Sequence, residues 1–113
     1  MSGSADPDWS DHCGDMAARH VLAATGLNVE TLVGPMPRRA REWVAQMRRL
    51  GVRSLSGVVS AALGAPLVSP KLARRGDIVR RGWALGICRG ERAEFYGGQL
   101  SPMREIDEGW RLN

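Results

Sequence analysis

A chain of 113 residues, of which 43% are hydrophobic and 25% charged, is long enough for one small domain with a single core and too short for a second domain. The formal net charge of +4 does not predict a dedicated nucleic-acid-binding protein, because the basic residues fall as scattered doublets between acids and no aromatic platform accompanies them. No apolar run approaches the roughly 20 residues that cross a bilayer, so we expect no membrane segment.

Residues 1–8 are mostly Ser, Gly, Asp and Pro and show no periodicity, which predicts a flexible leader ahead of a single domain over residues 9–113. The leader is polar and acidic, and it lacks the basic start and apolar centre of a secretion signal. We therefore expect the protein to fold in a cytoplasm.

Three helices are predicted after the leader. Apolar residues recur at three- and four-residue spacing over 11–25, where Gly26 supplies a stop, and again over 37–50, which has a basic outer face. Ser54 is a suitable N-cap for a short third helix that closes at Gly64.

Short β-prone runs separated by glycines follow Pro70 and predict an antiparallel meander. The predicted strands cover residues 78–79, 83–88, 93–96, 103–106 and 110–112. Because the helices precede the strands, we predict an α+β fold with N-terminal helices packed on one side of a small C-terminal antiparallel sheet. The tryptophans are spread along the chain as core anchors would be, and any exposed one is an interface candidate. They are Trp9, Trp43, Trp83 and Trp110.

Cys13 lies in the first turn of the first predicted helix. The positive end of the helix dipole favours the thiolate there, so Cys13 is a candidate nucleophile. The alternative is a small buried hydrophobic residue on the apolar stripe of that helix. His20 lies on the same stripe and is expected to be a core-edge histidine with one ring nitrogen hydrogen-bonded. Neither cysteine has zinc-site spacing, and the sequence indicates no metal, no cofactor and no small-molecule ligand.

Trp9 precedes Cys13-Gly14, a Gly-Asp-hydrophobic segment follows at residues 76–79, and Ala-Leu-Gly-Ile-Cys stands at 84–88. These segments resemble those of the NlpC-type, papain-like cell-wall peptidases, in which the last one is His-Val-Gly-Ile-Tyr. More closely, the chain resembles a small family encoded in tail-gene clusters of bacteriophages and gene transfer agents. That family shares an Asp-Cys helix, an Ala-Arg-Arg-Gly-Asp-Val segment, an Ala-Leu-Gly-Ile-Cys segment and a terminal Trp-Arg-Val. Here the corresponding residues are 12–13, 73–78, 84–88 and 110–112.

The resemblance spans nearly the whole chain and implies a papain-like scaffold in which the helix beginning near Cys13 faces the strand with Ala84 and Leu85. Cys88 is expected to pack within that strand. A bridge between Cys13 and Cys88 is the alternative that this arrangement leaves open, although disulfides are uncommon in cytoplasmic assembly.

The chain departs from the peptidase pattern at the catalytic base. Ala84 stands where the peptidases have histidine, and alanine can neither accept the thiol proton nor donate one to a leaving amine. His20 lies seven residues after Cys13, about 10 Å along a helix axis, which exceeds the roughly 3 Å reach of proton transfer. His12 replaces the family's aspartate, and its side chain would project about 100° from that of Cys13 in a helix.

The basic residues are interpreted as solvated surface or as a protein interface. The candidate interface is the outer face of the helix over 37–50, with Arg38, Arg41, Arg48 and Arg49, because arginine pairs with carboxylates in a bidentate manner.

The resemblance and the missing base together predict a structural protein of a phage or phage-like particle, a pseudoenzyme at the tail tip. By resemblance it would lie against the tail hub and the central fibre proteins in the virion, after assembly in the host bacterial cytoplasm. The alternative is a working cysteine amidase or peptidase that trims peptidoglycan during genome entry. A third hypothesis is an adaptor that contacts nucleic acid through its basic face.

Overall fold

The computed structural model describes residues 14–37 and 39–112. Within them the helices come first, as predicted from the sequence. They are α1 (Gly14–Thr25), α2 (Glu30–Val33), α3 (Ala40–Leu50) and α4 (Leu55–Leu63). The predicted helix over 11–25 is confirmed from residue 14 onward, and residues 11–13 lie outside the described part of the chain.

The ends of α3 and α4 follow from single residues. Arg39 has an extended backbone, so α3 begins three residues later than the sequence predicted. At its other end Gly51 adopts a left-handed conformation (φ 72°, ψ 27°) and donates its N–H to the carbonyls of Arg48 and Met47. The Ser54 hydroxyl accepts the Gly57 N–H at 3.0 Å and caps α4, as predicted.

The single-turn helix α2 was not predicted from the sequence, because four residues are too few to show a period. Local side chains hold it in place. The Asn28 side chain accepts the Glu30 N–H at 3.1 Å, and the Glu30 carboxylate accepts the Met36 N–H at 2.9 Å. The segment between α1 and α3 is therefore held by its own polar groups, and also by the buried Gln46 side chain of α3, which donates to the carbonyls of Val33 and Pro35.

The described residues contain five strands in one antiparallel sheet. They are β1 (Ile78–Arg81), β2 (Ala84–Cys88), β3 (Arg92–Phe95), β4 (Gln99–Pro102) and β5 (Glu108–Trp110). The spatial order is β4-β3-β2-β1-β5, so the last strand returns to pair with the first and Trp110 lies opposite Ile78. The predicted α+β architecture, helices followed by an antiparallel sheet, is confirmed.

Three details of the predicted meander are wrong. The last strand covers Glu108–Trp110 instead of residues 110–112. Residues 103–106 do not form a strand. Met103–Glu105 is a 3-10 turn, and the next residue, Ile106, is buried. The apolar residues of that segment close a core instead of alternating across a sheet. Strand β4 was missed, because Gln99–Pro102 has no alternating pattern and ends in proline.

The helices cover one face of the sheet. On that face Ile78, Leu85, Ile87 and Trp110 pack against buried residues of the helices. This buried cluster holds the helices on one side of the sheet, as the sequence predicted. Those helix residues are Ala17, Val21, Trp43, Met47, Leu55, Val58 and Val59.

The opposite face of the sheet is concave. The Arg81 guanidinium on β1 donates to the Ser101 hydroxyl on β4 at 2.8 Å. Three strand spacings separate β1 from β4, about 14 Å in a flat sheet, which an arginine does not span. The sheet must therefore curl toward a barrel, and the hollow is filled by a second core of Val79, Cys88, Ala93, Phe95 and Ile106.

The tryptophans divide into two groups. Trp43 and Trp110 are core anchors as predicted, with 2% and 0% of their surface exposed. Trp83 is not a core anchor, because it is the second residue of the turn between β1 and β2 and is 49% exposed. Trp9 lies outside the described residues.

Candidate functional site

The helix that follows Cys13 packs on the strand that the resemblance pairs with it. Ala17 and Val21 of α1 belong to the same buried cluster as Leu85 and Ile87 of β2. The predicted meeting of helix and strand is confirmed for residues 14 onward. Cys13 itself, the candidate nucleophile, lies outside the described residues, as does His12.

Ala84 does not point toward α1. Side chains alternate along β2, so Leu85 and Ile87 face the helices while Ala84 and Cys88 face the concave side. The Ala84 methyl packs against the second core, beside the cluster that includes Val79. A side chain at position 84 thus lies on the sheet face opposite the helix that follows Cys13.

His20 holds α1 to the loop ahead of β1. Its Nε2 lies 2.7 Å from the carbonyl oxygen of Gly76, and because a carbonyl only accepts, Nε2 carries the proton. The ring is half-buried at the edge of the helix layer. The prediction of a core-edge histidine with one nitrogen hydrogen-bonded is confirmed.

Cys88 is a buried free thiol, with 0% of its surface exposed and its sulfur 3.5 Å from the carbonyl oxygen of Gly90. The predicted packing role of Cys88 is confirmed, and Cys13, its partner in the alternative bridge, lies outside the described residues. Among residues 14–37 and 39–112, no group of three or more His, Cys, Asp or Glu side chains is placed to hold a metal ion.

Asp77 joins two of the sequence segments that carry the family resemblance. Its buried carboxylate accepts the Arg74 N–H at 2.8 Å, the Arg111 Nε–H at 3.2 Å and the Leu112 N–H at 3.2 Å. Arg111 also donates through Nη2 to the carbonyl of Leu72. The Arg-Arg-Gly-Asp and Trp-Arg-Leu segments therefore meet inside the fold, where they bind each other.

The outer side of α3 carries a cluster of unpaired arginines. Arg41, Arg48 and Arg49 are exposed as predicted, and Arg39 and Arg53 are exposed just before and just after the helix. We call these five residues the arginine face. None of them makes an ion pair with an acid in the described part of the chain. Arg38, the fourth predicted interface residue, lies outside it.

Four arginines in or beside the sheet behave differently. Arg80, Arg81, Arg89 and Arg111 each lie within 3.2 Å of a carboxylate oxygen. The arginines of α3 have no such partner in the described part of the chain, and neither does Arg92 on β3. Sequence reasoning could not identify the pairs of Arg80, Arg81 and Arg111, because their acidic partners are 24 to 34 residues away.

A groove lies beside the arginine face. It has a volume of about 380 Å³ between the loop of residues 34–37 and the side of α3 that carries Glu42, Ala45 and Arg49. The loop contributes the apolar surface of Pro35, Met36 and Pro37. Apolar contact and positive charge therefore adjoin at this edge of α3.

None of the helices in the described residues has both the length and the apolar character that a membrane span requires. Comparisons with curated proteins and with solved structures found no match. A comparison with protein-family models matched residues 4–112 to a protein family. The match covers nearly the whole chain, and the protein belongs to the family described as Domain of unknown function (DUF6950).

Proposed function

We propose that this protein is a structural component of the tail tip of a bacteriophage or phage-like particle, built on a degenerate papain-like, NlpC-type peptidase scaffold. It acts by binding neighbouring tail proteins, such as the hub or the central fibre, through the arginine face. It is assembled in the host bacterial cytoplasm and remains in the virion. The observation that carries the proposal is the set of unpaired arginines on α3.

Unpaired positive charge on one helix favours a partner from outside the domain. A carboxylate-rich surface can form bidentate bridges with these exposed guanidinium groups. The adjoining groove adds apolar contact, and arginine with buried apolar surface is the usual composition of interface hot spots.

The residues that carry the resemblance support a structural role over hydrolysis. Asp77 binds Arg74, Arg111 and Leu112, Ala84 and Cys88 fill the concave core, and His20 binds the carbonyl of Gly76. Each of these groups is engaged in holding the fold together. None is placed with a second side chain around an open cleft as an acid–base pair would be.

The second candidate is the cysteine amidase or peptidase. It is favoured by one observation, the packing of α1 on β2, which keeps the helix after Cys13 against the strand of the resembling active site. The orientation of Ala84 toward the other face of the sheet counts against it. A direct assay separates the two candidates.

The interface is tested by reversing charge on α3. We expect Arg41→Glu/Arg48→Glu to reduce incorporation of the protein into particles at least about tenfold, because two attractive contacts with the partner become repulsive. A tenfold loss requires a change in binding free energy of only about 1.4 kcal/mol. The measurement is the protein profile of purified particles. Circular dichroism of the isolated variant should match wild type, because exposed helix positions tolerate substitution within about 0.5 kcal/mol.

The matched control is Arg19→Glu/Arg104→Glu. Both residues are exposed, lie outside the arginine face, and give the same change in formal net charge, from +4 to 0, as two arginines become two glutamates. This control should incorporate normally. Equal incorporation of both double variants would contradict the proposed interface. The nucleic-acid adaptor would be favoured if Arg41→Glu/Arg48→Glu still bound its protein partners but the isolated variant no longer bound DNA.

Hydrolysis is tested with the purified protein and host cell-wall sacculi. We expect no release of muropeptides above buffer, and the same result for Cys13→Ala, because Ala84 supplies no base and His20 is bound to Gly76. The assay follows soluble fragments by chromatography, with an active amidase as the positive control. Release by the wild type that disappears in Cys13→Ala would replace the structural proposal with the amidase.

A further inference from the structure

A second surface pocket lies away from α3, between the first turn of α4 and the turn that joins β1 to β2. Its volume is about 430 Å³, within the range of about 300–1,000 Å³ found for small-molecule sites. Its lining residues come from both elements and from β5. They are Ser54, Leu55, Ser56, Arg80, Gly82, Trp83 and Glu108.

The polar groups of this pocket are fixed in place. Arg80 and Glu108 are cross-strand partners on β1 and β5, and the Arg80 Nε–H donates to Glu108 Oε1 at 2.9 Å. The Ser56 hydroxyl donates to the other carboxylate oxygen of Glu108 at 3.0 Å. Arg80 also donates through Nη1 to the carbonyl of Gly82 at 2.7 Å. A ligand would therefore meet these groups without first having to order them.

Trp83 supplies an aromatic wall beside the polar groups. It is 49% exposed, although an indole of this size is expected in a core, and it adjoins Gly82 at the rim of the pocket. Exposed tryptophan next to fixed polar side chains is the composition of a recognition site, where the ring covers an apolar ligand surface and the polar groups set its orientation.

The charges of the pocket exclude a simple anion as its ligand. Arg80 is already paired with Glu108 and lies 3.6 Å from a carboxylate oxygen of Asp107, so the local carboxylates outnumber the guanidinium group. The pocket instead presents donors and acceptors side by side. Hydroxyl groups both donate and accept, so a polyhydroxylated ligand can satisfy the two kinds of group together.

We infer that this pocket is a carbohydrate-binding site that takes one or two sugar rings, with a ring face on Trp83 and hydroxyl groups on Arg80, Glu108, Ser54 and Ser56. The inference does not depend on the proposed tail-tip function, because none of the lining residues belongs to α3. Sequence patterns did not indicate it, since Trp83 is expected in the core and the polar residues are far apart in the chain.

The test is a titration of the full-length protein, labelled with ¹⁵N, with chitobiose, cellobiose and lactose in separate arms and inorganic phosphate in a fourth. The signal is the indole N–H of Trp83, identified among those of the four tryptophans by its loss in Trp83→Phe. We expect at least one disaccharide to shift this signal and saturate with a dissociation constant of about 1 mM or lower. Phosphate should produce no saturable shift.

Two variants decide whether the shift reports this pocket. Trp83→Ala should raise the dissociation constant at least about tenfold, followed through the backbone signals of Ser56 and Glu108, while its thermal unfolding stays near that of wild type. Leu100→Ala removes a comparably exposed apolar residue on β4, outside the pocket, and should bind as wild type does. The inference is overturned if no disaccharide shifts the Trp83 signal, if Trp83→Ala binds unchanged, or if phosphate alone saturates the site.

Discussion

Asp77→Ala is expected to lower the free energy of unfolding by about 3 kcal/mol. The Asp77 carboxylate is only 6% exposed and accepts three hydrogen bonds, two of them from the backbone N–H groups of Arg74 and Leu112. Its removal leaves those donors and the partly buried guanidinium of Arg111 without their acceptor. The loss should appear as a lower midpoint in urea unfolding followed by circular dichroism.

The control for this variant is Asp107→Ala. Asp107 also has an arginine partner, Arg80 at 3.6 Å, and accepts the Gly82 N–H at 2.7 Å, but half of its side chain is exposed. Exposed pairs contribute about 0–1 kcal/mol, so this variant should lose much less stability. An Asp77→Ala variant as stable as Asp107→Ala would show that the Asp77 contacts do not hold the fold together.

Gly86→Ala is expected to destabilise the protein by about 3 kcal/mol. A Cβ atom at this position would lie 2.7 Å from the carbonyl oxygen of Glu94 and 2.8 Å from two ring carbons of Phe95. Phe95 could rotate away, but the carbonyl belongs to the paired strand β3, so relief requires the two strands to separate. Thermal unfolding of the purified variant measures the loss.

Gly109→Ala is the matched substitution, since Gly109 is also in the sheet and its added Cβ would approach nothing closer than 3.3 Å. This variant should unfold within about 1 kcal/mol of wild type. If Gly86→Ala were equally mild, the close approach of Phe95 over Gly86 would not be a fixed feature of the concave core.

The helices and the order of elements could be predicted because their signals are local. Helical spacing, the Ser54 cap and the glycine stops each depend on neighbouring residues, and the structure places α1, α3 and α4 accordingly. Helix α2 and strand β4 were missed, because a single turn has no period and β4 lacks alternation. The apolar residues of the segment 103–106 predicted a strand. In the structure they pack in the concave core instead.

The candidate site was predictable in part, for a related reason. The exposed side of α3 follows from helical spacing, so Arg41, Arg48 and Arg49 could be placed on one face. Which arginines lack acidic partners depends on tertiary contacts, as does the role of Asp77, whose partner Arg111 is 34 residues away. The orientation of Ala84 depends on the register of β2, which a resemblance of sequence segments does not fix.

The return of β5 to β1 has a consequence for the order of folding. The hairpins β1–β2, β2–β3 and β3–β4 each join neighbouring segments, whereas β5 must close a loop that contains all of them before it reaches β1. Closure of that loop has an entropic cost that the local hairpins avoid, so the contacts of Asp77 with Arg111 and Leu112 should form after the transition state. Stopped-flow measurements on Asp77→Ala should then show faster unfolding with a nearly unchanged folding rate, and a slower folding rate would place β5 in the nucleus.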